Sequence, residues 1–180
     1  MLLQLDRLPS PIGTLLVVFD EAHCLRALDF EDCSARMHCL LARHYGAADL
    51  NAASAPAAIA QPIAAYLDGD FAGIGRLRVA TNGSVFQRRV WSALRAIAPG
   101  TTTSYGALAA RLGAPAANRA VGLANGANPI AIVVPCHRVI GAAGALTGYG
   151  GGLERKRWLL AHEGAVANQG AAAHERALAR

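Results

Sequence analysis

Around residue 82 the chain changes sign. Residues 1–82 hold 6 Arg and 9 acids, a net −3, whereas residues 83–180 hold 11 Lys plus Arg and 3 acids, a net +8. Such segregation points to two parts with different surfaces, and a basic half calls for a polyanionic partner. Of the 17 cations 16 are Arg, whose planar fork suits phosphates and base edges. A general preference for Arg over Lys would explain that ratio but not the segregation.

With 53% hydrophobic residues in 180, the chain can fill a core. Its densest apolar runs, Leu15 to Phe19 and Ile130 to Val134, are far shorter than a membrane span, and Met1 to Ser10 lacks a basic segment followed by a long apolar stretch. The expectation is a soluble, unexported, cytoplasmic protein with no membrane partner. Cys24, Cys33, Cys39 and Cys136 are unevenly spaced, which favours reduced thiols over a disulfide framework.

Before the boundary, Thr14 to Phe19 and Leu25 to Phe30 read as strands around a turn at Asp20 to His23, followed by a helix over Ser34 to Tyr45. Ala47 to Ala60 reads as a connection, Ile63 to Leu67 as helical and Arg76 to Val79 as extended. Thr81-Asn82-Gly83-Ser84 is a turn-forming cluster that closes this part. Beyond it, Phe86, Val90, Trp91, Leu94 and Ile97 form one apolar helical face that stops at Pro99-Gly100. Ser104 can cap a short helix through Leu112, Gly113 ends it, and a second helix can run from Ala116 to Ala124 before Asn125-Gly126 and Asn128-Pro129 break it. Two short helices around a tight turn make a helix-turn-helix candidate. Arg119, Gly122 and Asn125 share a face of the second, where a bare Gly lets another backbone approach; helix packing would explain Gly122 equally well, and the charge asymmetry favours DNA.

Ile130 to Val134 reads as a buried extended run delivering Pro135-Cys136-His137-Arg138-Val139-Ile140 into a Gly-rich turn at Gly141 to Gly144. A nucleophilic Cys needs a neighbouring base or positive charge, and His137 and Arg138 are candidates for both. A carboxylate would have to orient the imidazole. Glu154, Glu163 and Glu175 are the acids after residue 82, and Glu163 closes a helix over Leu153 to His162; an exposed acid is the plain alternative. Cys33, His38, Cys39 and His44 do not make a zinc site: on one helix Cys33 and Cys39 point apart, and Cys33 and His44 share a face about three turns, or roughly 16 Å, apart.

In the order in which they occur, Phe86-Gln87, Val90-Trp91, Ser104-Tyr105, Arg119-Ala120-Val121-Gly122, Asn128-Pro129, the Pro135 to Ile140 motif, Gly148-Tyr149 and Trp158-Leu159-Leu160-Ala161-His162-Glu163-Gly164 resemble the O6-alkylguanine-DNA alkyltransferase family. The N-terminal half resembles its bacterial members more loosely, through Ser10-Pro11-Ile12-Gly13 and Leu25-Arg26-Ala27. The resemblance implies an α+β fold: a small N-terminal mixed α/β domain of ribonuclease H-like kind (1–82), a mainly helical DNA-binding and alkyl-acceptor domain with the helix-turn-helix (83–164), and a flexible tail (165–180). It implies that Cys136, held as thiolate through water, His137 and Glu163, takes the alkyl group of O6-alkylguanine, with O4-alkylthymine as candidate second substrate. The transfer is irreversible, occurs once per monomer and needs no cofactor or metal. The damaged nucleotide of double-stranded DNA is rotated out of the stack. Arg119 fills the space, Tyr105 presses on a neighbouring phosphate, and the second helix enters the minor groove with Ser104, Gly122 and Asn125 beside it. Asn128 joins that helix to the active-site segment, while Tyr149, Val139 and Gly150 line the guanine pocket. Gly150 stands where Ser or Ala is frequent, and would widen the pocket or loosen its loop. Other readings are a lesion-binding protein without transfer activity, which Cys136 argues against, a regulator using the same helix pair, and a cysteine hydrolase, which leaves the DNA-binding elements without a purpose.

Overall fold

A computed structural model of the chain describes residues 2–165; the expectation for the tail lies outside the described residues from 166 onward. Four strands form the first sheet, β1 (Leu3–Leu8), β2 (Leu15–Phe19), β3 (Leu25–Phe30) and β4 (Leu50–Ala52), in the order β3-β2-β1-β4. The first three run antiparallel and β4 runs parallel to β1. Every residue of β2 is buried. Side chains alternate across a strand, so Leu15, Val17 and Phe19 join the main core while Leu16 and Val18 pack with Met37 and Leu41 of α1 (Ser34–Tyr45) on the other face.

The stretch expected to be a connection, Ala47 to Ala60, contains β4 and the first turn of α2 (Ala57–Leu67). Pro62 lies inside α2 and removes one amide donor, yet Ile59, Ile63 and Tyr66 all bury on the same side, and that burial outweighs the missing bond. Arg76, expected extended, ends a single 3-10 turn at Ile74–Arg76; the extended backbone begins after it, where Leu25 N donates to Arg78 O (2.8 Å) and Ala80 N to Leu25 O (2.9 Å).

After Ser84 the chain is mainly helical. α3 (Val85–Arg95) buries Val90, Trp91 and Leu94, and begins with a capping box in which Ser84 Oγ accepts from Gln87 N and Gln87 Oε1 accepts from Ser84 N. β5 (Thr103–Ser104) leads into α4 (Tyr105–Arg111), capped by Ser104 Oγ, and Gly113 at φ +72° turns the chain toward α5 (Asn118–Gly126). The second helix therefore starts two residues later than expected and runs through Asn125-Gly126 instead of breaking there. β6 (Val139–Ile140) pairs with β5, and α6 (Leu153–His162) closes the described chain. No helix among the described residues is long and apolar enough to cross a membrane.

The two parts share one core and one sheet edge. The largest apolar cluster contains Phe19 and Phe30 beside Trp91, Leu94, Val121 and Val139. On the outer edge of β3, Leu28 N donates to Pro129 O (3.0 Å) and Ala131 N to Leu28 O (2.8 Å), so the approach to Cys136 is hydrogen-bonded to the N-terminal sheet.

Replacing Ser84 with Ala removes one half of the α3 capping box. Urea unfolding should show a loss of about 1 kcal/mol with unchanged denaturant dependence.

Candidate active site

Ile130 to Val134 is buried as expected but is not extended. It is a coiled turn in which Val133 N bonds Ala131 O (2.7 Å), Val134 N bonds Ile130 O (3.0 Å) and Ile132 takes φ +67°. Irregular buried backbone leaves polar groups without a ladder, and the side chain of Asn128 supplies partners. Its Nδ2 donates to Val134 O (2.7 Å) and Ile130 O (3.4 Å), while its Oδ1 accepts from Ile130 N (3.0 Å). A plain apolar run gives no sign of this turn; the Asn-Pro pair before it was the available signal.

The turn delivers Cys136 to the start of a 3-10 turn, Cys136–Arg138, and the residue reaches the wall of a cavity of about 160 Å³. Tyr105, Gly122, Asn125, Gly126, Tyr149 and Gly150 contribute to the same wall. α5 thus places Gly122 and Asn125 at the cavity, while Arg119, one turn earlier, is exposed. Asn125 is buried and donates to Cys136 O (3.4 Å), a contact to the protein's own backbone. Ser104 is occupied as the α4 cap, accepting from Ala107 N (3.0 Å).

Behind Cys136, His137 and Glu163 are sealed from solvent, which rules out the exposed-acid alternative for Glu163. His137 Nε2 lies 3.0 Å from Glu163 Oε1. A carboxylate only accepts, so Nε2 carries the hydrogen and Nδ1 of the neutral ring holds the lone pair. Nδ1 is buried with no hydrogen-bond partner among the described residues. Arg138 donates from Nε to Glu163 Oε2 (2.9 Å) and from Nη2 to Oε1 (2.7 Å), and its Nη1 bonds Ile97 O. Tyr66, from α2, donates its hydroxyl to Glu163 Oε1 (2.6 Å).

Burial would raise the Glu163 carboxyl, but hydrogen bonds from His137 and Arg138, with the Arg138 charge, overcome it and hold the group ionised, well below the usual carboxylate range. Burial lowers His137, against the pull of Glu163, and keeps the ring neutral. Burial also raises the Cys136 thiol, partly offset by Asn128, Arg36 and Lys156.

Three further residues shape the site and were not singled out from sequence. Lys156 is fully buried and its ammonium donates to Val139 O (2.7 Å), Thr147 O (2.6 Å) and Gly148 O (3.4 Å), joining β6 to the loop before Tyr149; burial lowers its pKa to about 8. The chain's one lysine, three residues before Leu159 on a helix, was the signal available. Arg36 pairs with buried Asp29 and donates to Gly126 O and Asn128 O, both at 3.0 Å, satisfying carbonyls at the end of α5. Arg155 bonds Ile12 O (2.7 Å) and lies over the Phe30 ring, which gives the Ser10 to Gly13 turn its place beside α6. Arg36 and Phe30 also explain the glycines after Tyr149: a Cβ on Gly150 would lie 2.5 Å from the Arg36 guanidinium carbon, and one on Gly151 2.5 Å from the Phe30 ring. Gly150 therefore admits a cation rather than widening the pocket. Cys33, His38 and His44 turn to Gly150 O, Ser34 O and Asn82 O respectively, three separate neighbours.

Residues 85–165 match the family model described as the 6-O-methylguanine DNA methyltransferase DNA binding domain. Along most of its length the chain is 53% identical to the methylated-DNA--protein-cysteine methyltransferase of Salmonella typhimurium, over 161 residues that make up 88% of this chain and 94% of that protein. The chain belongs to this family of DNA-repair methyltransferases. A crystal structure of the Mycobacterium tuberculosis O6-methylguanine methyltransferase superposes with TM-score 0.74 at 41% identity, covering 90% of this chain and 93% of that one. Another, of the M. tuberculosis protein in complex with DNA, gives TM-score 0.75 at 40% identity and covers 91% and 93%. The α+β arrangement, with its N-terminal mixed sheet and helical DNA-binding part, is the family's.

His137 and Glu163 both have folded-state values below their ordinary 6.5 and 4.5, so the unfolded chain binds more protons than the native one. Native stability should fall as pH drops below 6.5 and again below 4.5, each group contributing at most about 1.4 kcal/mol per pH unit. Urea unfolding against pH should show the first loss in the native sequence and its disappearance in His137→Gln.

Proposed function

We propose that Cys136 takes the alkyl group from O6-alkylguanine in double-stranded DNA and keeps it, once per molecule. The observation that carries this reading is that the thiol stands on the cavity wall while its proton acceptor, with that acceptor's carboxylate, is sealed behind it. As the new S–C bond forms, the thiol proton passes through a water to His137 Nδ1, the position whose lone pair is free. Glu163, held ionised by Arg138, stabilises the imidazolium. The C–O6 bond breaks with its electron pair going to guanine, which takes up the proton that the imidazolium gives back through water, so His137 ends neutral. The product is a thioether, which has no leaving group for a return reaction, so the stoichiometry is one alkyl per chain. Atoms and charge balance without a cofactor.

The cavity is too recessed to reach a stacked base, so the nucleotide must leave the duplex at a cost of roughly a few kcal/mol. α5 would lie in the minor groove, with Gly122 allowing close approach and Arg119 filling the vacated stack. Tyr105 at the cavity mouth would press on the adjacent phosphate, and Tyr149, Val139 and Gly150 would bound the extruded base. The protein would act as a monomer in the cytoplasm, where a free thiol persists, with its DNA-binding and acceptor part at 83–164 joined to the N-terminal part at 1–82.

Incubation with a duplex containing O6-methylguanine should place one methyl on Cys136 by peptide mass spectrometry and stop at one equivalent. Cys136→Ala should bind the lesion without accepting the methyl; a methyl elsewhere, or continued turnover, would sink the reading. Arg119→Ala should slow transfer from the duplex by about 10- to 100-fold, equivalent to roughly 1–3 kcal/mol of lost extrusion energy, while leaving transfer from a free alkylguanine base nearly unchanged.

A further inference from the structure

Tyr66 lies 97 residues before Glu163 in the chain, on the other side of the charge boundary, and yet its hydroxyl touches the catalytic carboxylate at 2.6 Å. The oxygen it touches, Oε1, is the same one that accepts from His137 Nε2 (3.0 Å) and from Arg138 Nη2 (2.7 Å). An oxygen has two lone pairs, so three donors must share them, and whatever Tyr66 takes is withdrawn from the bond to His137. The phenol cannot swing away: Tyr66 is fully buried, its carbonyl accepts from His162 Nε2 (2.7 Å), and its ring meets Phe71 and His162 edge-on. We propose that Tyr66 is a positioning residue for alkyl transfer, its hydroxyl sharing Glu163 Oε1 with His137 so that the imidazole stays neutral and ready to receive the Cys136 proton.

The groups around the imidazole divide by element. Cys136 and Arg138 flank it on its own turn, Glu163 and Lys156 come from the last helix and its end, Tyr149 presents its ring 6.4 Å away from the pocket loop, and Tyr66 comes from α2. The cations Arg138 and Lys156 disfavour a charged imidazole and Glu163 favours it. Tyr66 acts on that balance without carrying charge. Burial and the adjoining carboxylate push its own ionisation far above the ordinary range, so it serves as donor throughout. The inference rests on His137 being the proton acceptor, and it gives the N-terminal part a direct hand in the chemistry.

Tyr66→Phe keeps the ring and removes one donor. Glu163 Oε1 then belongs to His137 and Arg138 alone, and His137 holds a proton more firmly. The acid limb of the transfer rate should move to higher pH by roughly half to one unit, so that the rate on that limb falls about 3- to 10-fold while the alkaline side changes less. The test is single-turnover transfer against pH with both an O6-methylguanine duplex and free O6-benzylguanine, together with NMR titration of the His137 imidazole in Cys136→Ala backgrounds. Both substrates should show the same displacement and the titration should move with them. Difluorotyrosine at position 66, a stronger donor, should displace all three the opposite way. An unmoved limb and titration, even with lowered stability, would make the hydroxyl a purely structural bond and overturn the proposal, as would a defect confined to the duplex. A titration that shifts in a protein that transfers no alkyl group would keep the coupling and remove the reaction.

Discussion

A nucleophile at the bottom of a cavity needs a chain that can reach inward without a helix or sheet to satisfy it. Here that requirement falls on Asn128. One amide side chain closes the turn from Ile130 to Val134 by meeting both a donor and two acceptors of the buried backbone. Val134 O and Ile130 O keep backbone partners without it, but the Ile130 amide would be left alone at a cost on the order of 1–3 kcal/mol, so the turn that places Cys136 leans on that side chain. α5 on one side and the Cys136–Arg138 turn on the other are both fixed relative to it.

The electrostatics follow from the same inward path. Because the turn carries Cys136 and His137 into the interior together, burial disfavours the charged form of each, and the site is completed by partners contributed by distant segments: Glu163 at the end of α6, Lys156 on it, and Tyr66 from α2. The outcome is a neutral imidazole beside a fixed carboxylate, with burial favouring the neutral thiol. A thiol kept in that form is protected from casual oxidation and from electrophiles that do not enter the cavity, which matters for a group that can be used only once.

Much of this was legible in the residues themselves. The strands at β2 and β3, the helix Ser34–Tyr45, the Ser104 cap and the apolar face of α3 follow from local periodicity and capping chemistry, which act over a few residues. The ordered motifs around Cys136 pointed to the family, and His137 and Glu163 meet as that resemblance implied. What stayed hidden depends on contacts across the boundary. Gly150 looked like a looser pocket because Arg36 lies 114 positions away in sequence, and nothing local to Tyr66 reports that its hydroxyl ends on Glu163. The run Ile130 to Val134 misled for a simpler reason, since a buried apolar segment reads the same whether it is extended or coiled.

The hydrogen bonds from Leu28 to Pro129 and from Ala131 back to Leu28 have a consequence beyond holding the reactive segment. β3 is a largely buried strand, and its outer edge would otherwise present free amides and carbonyls to any other extended chain. The approach to Cys136, together with Arg78 and Ala80 farther along, occupies that edge. A chemical event strong enough to push the reactive segment off the sheet would therefore also uncover an adhesive strand, so that a spent molecule losing this contact would be prone to self-association as well as inactive.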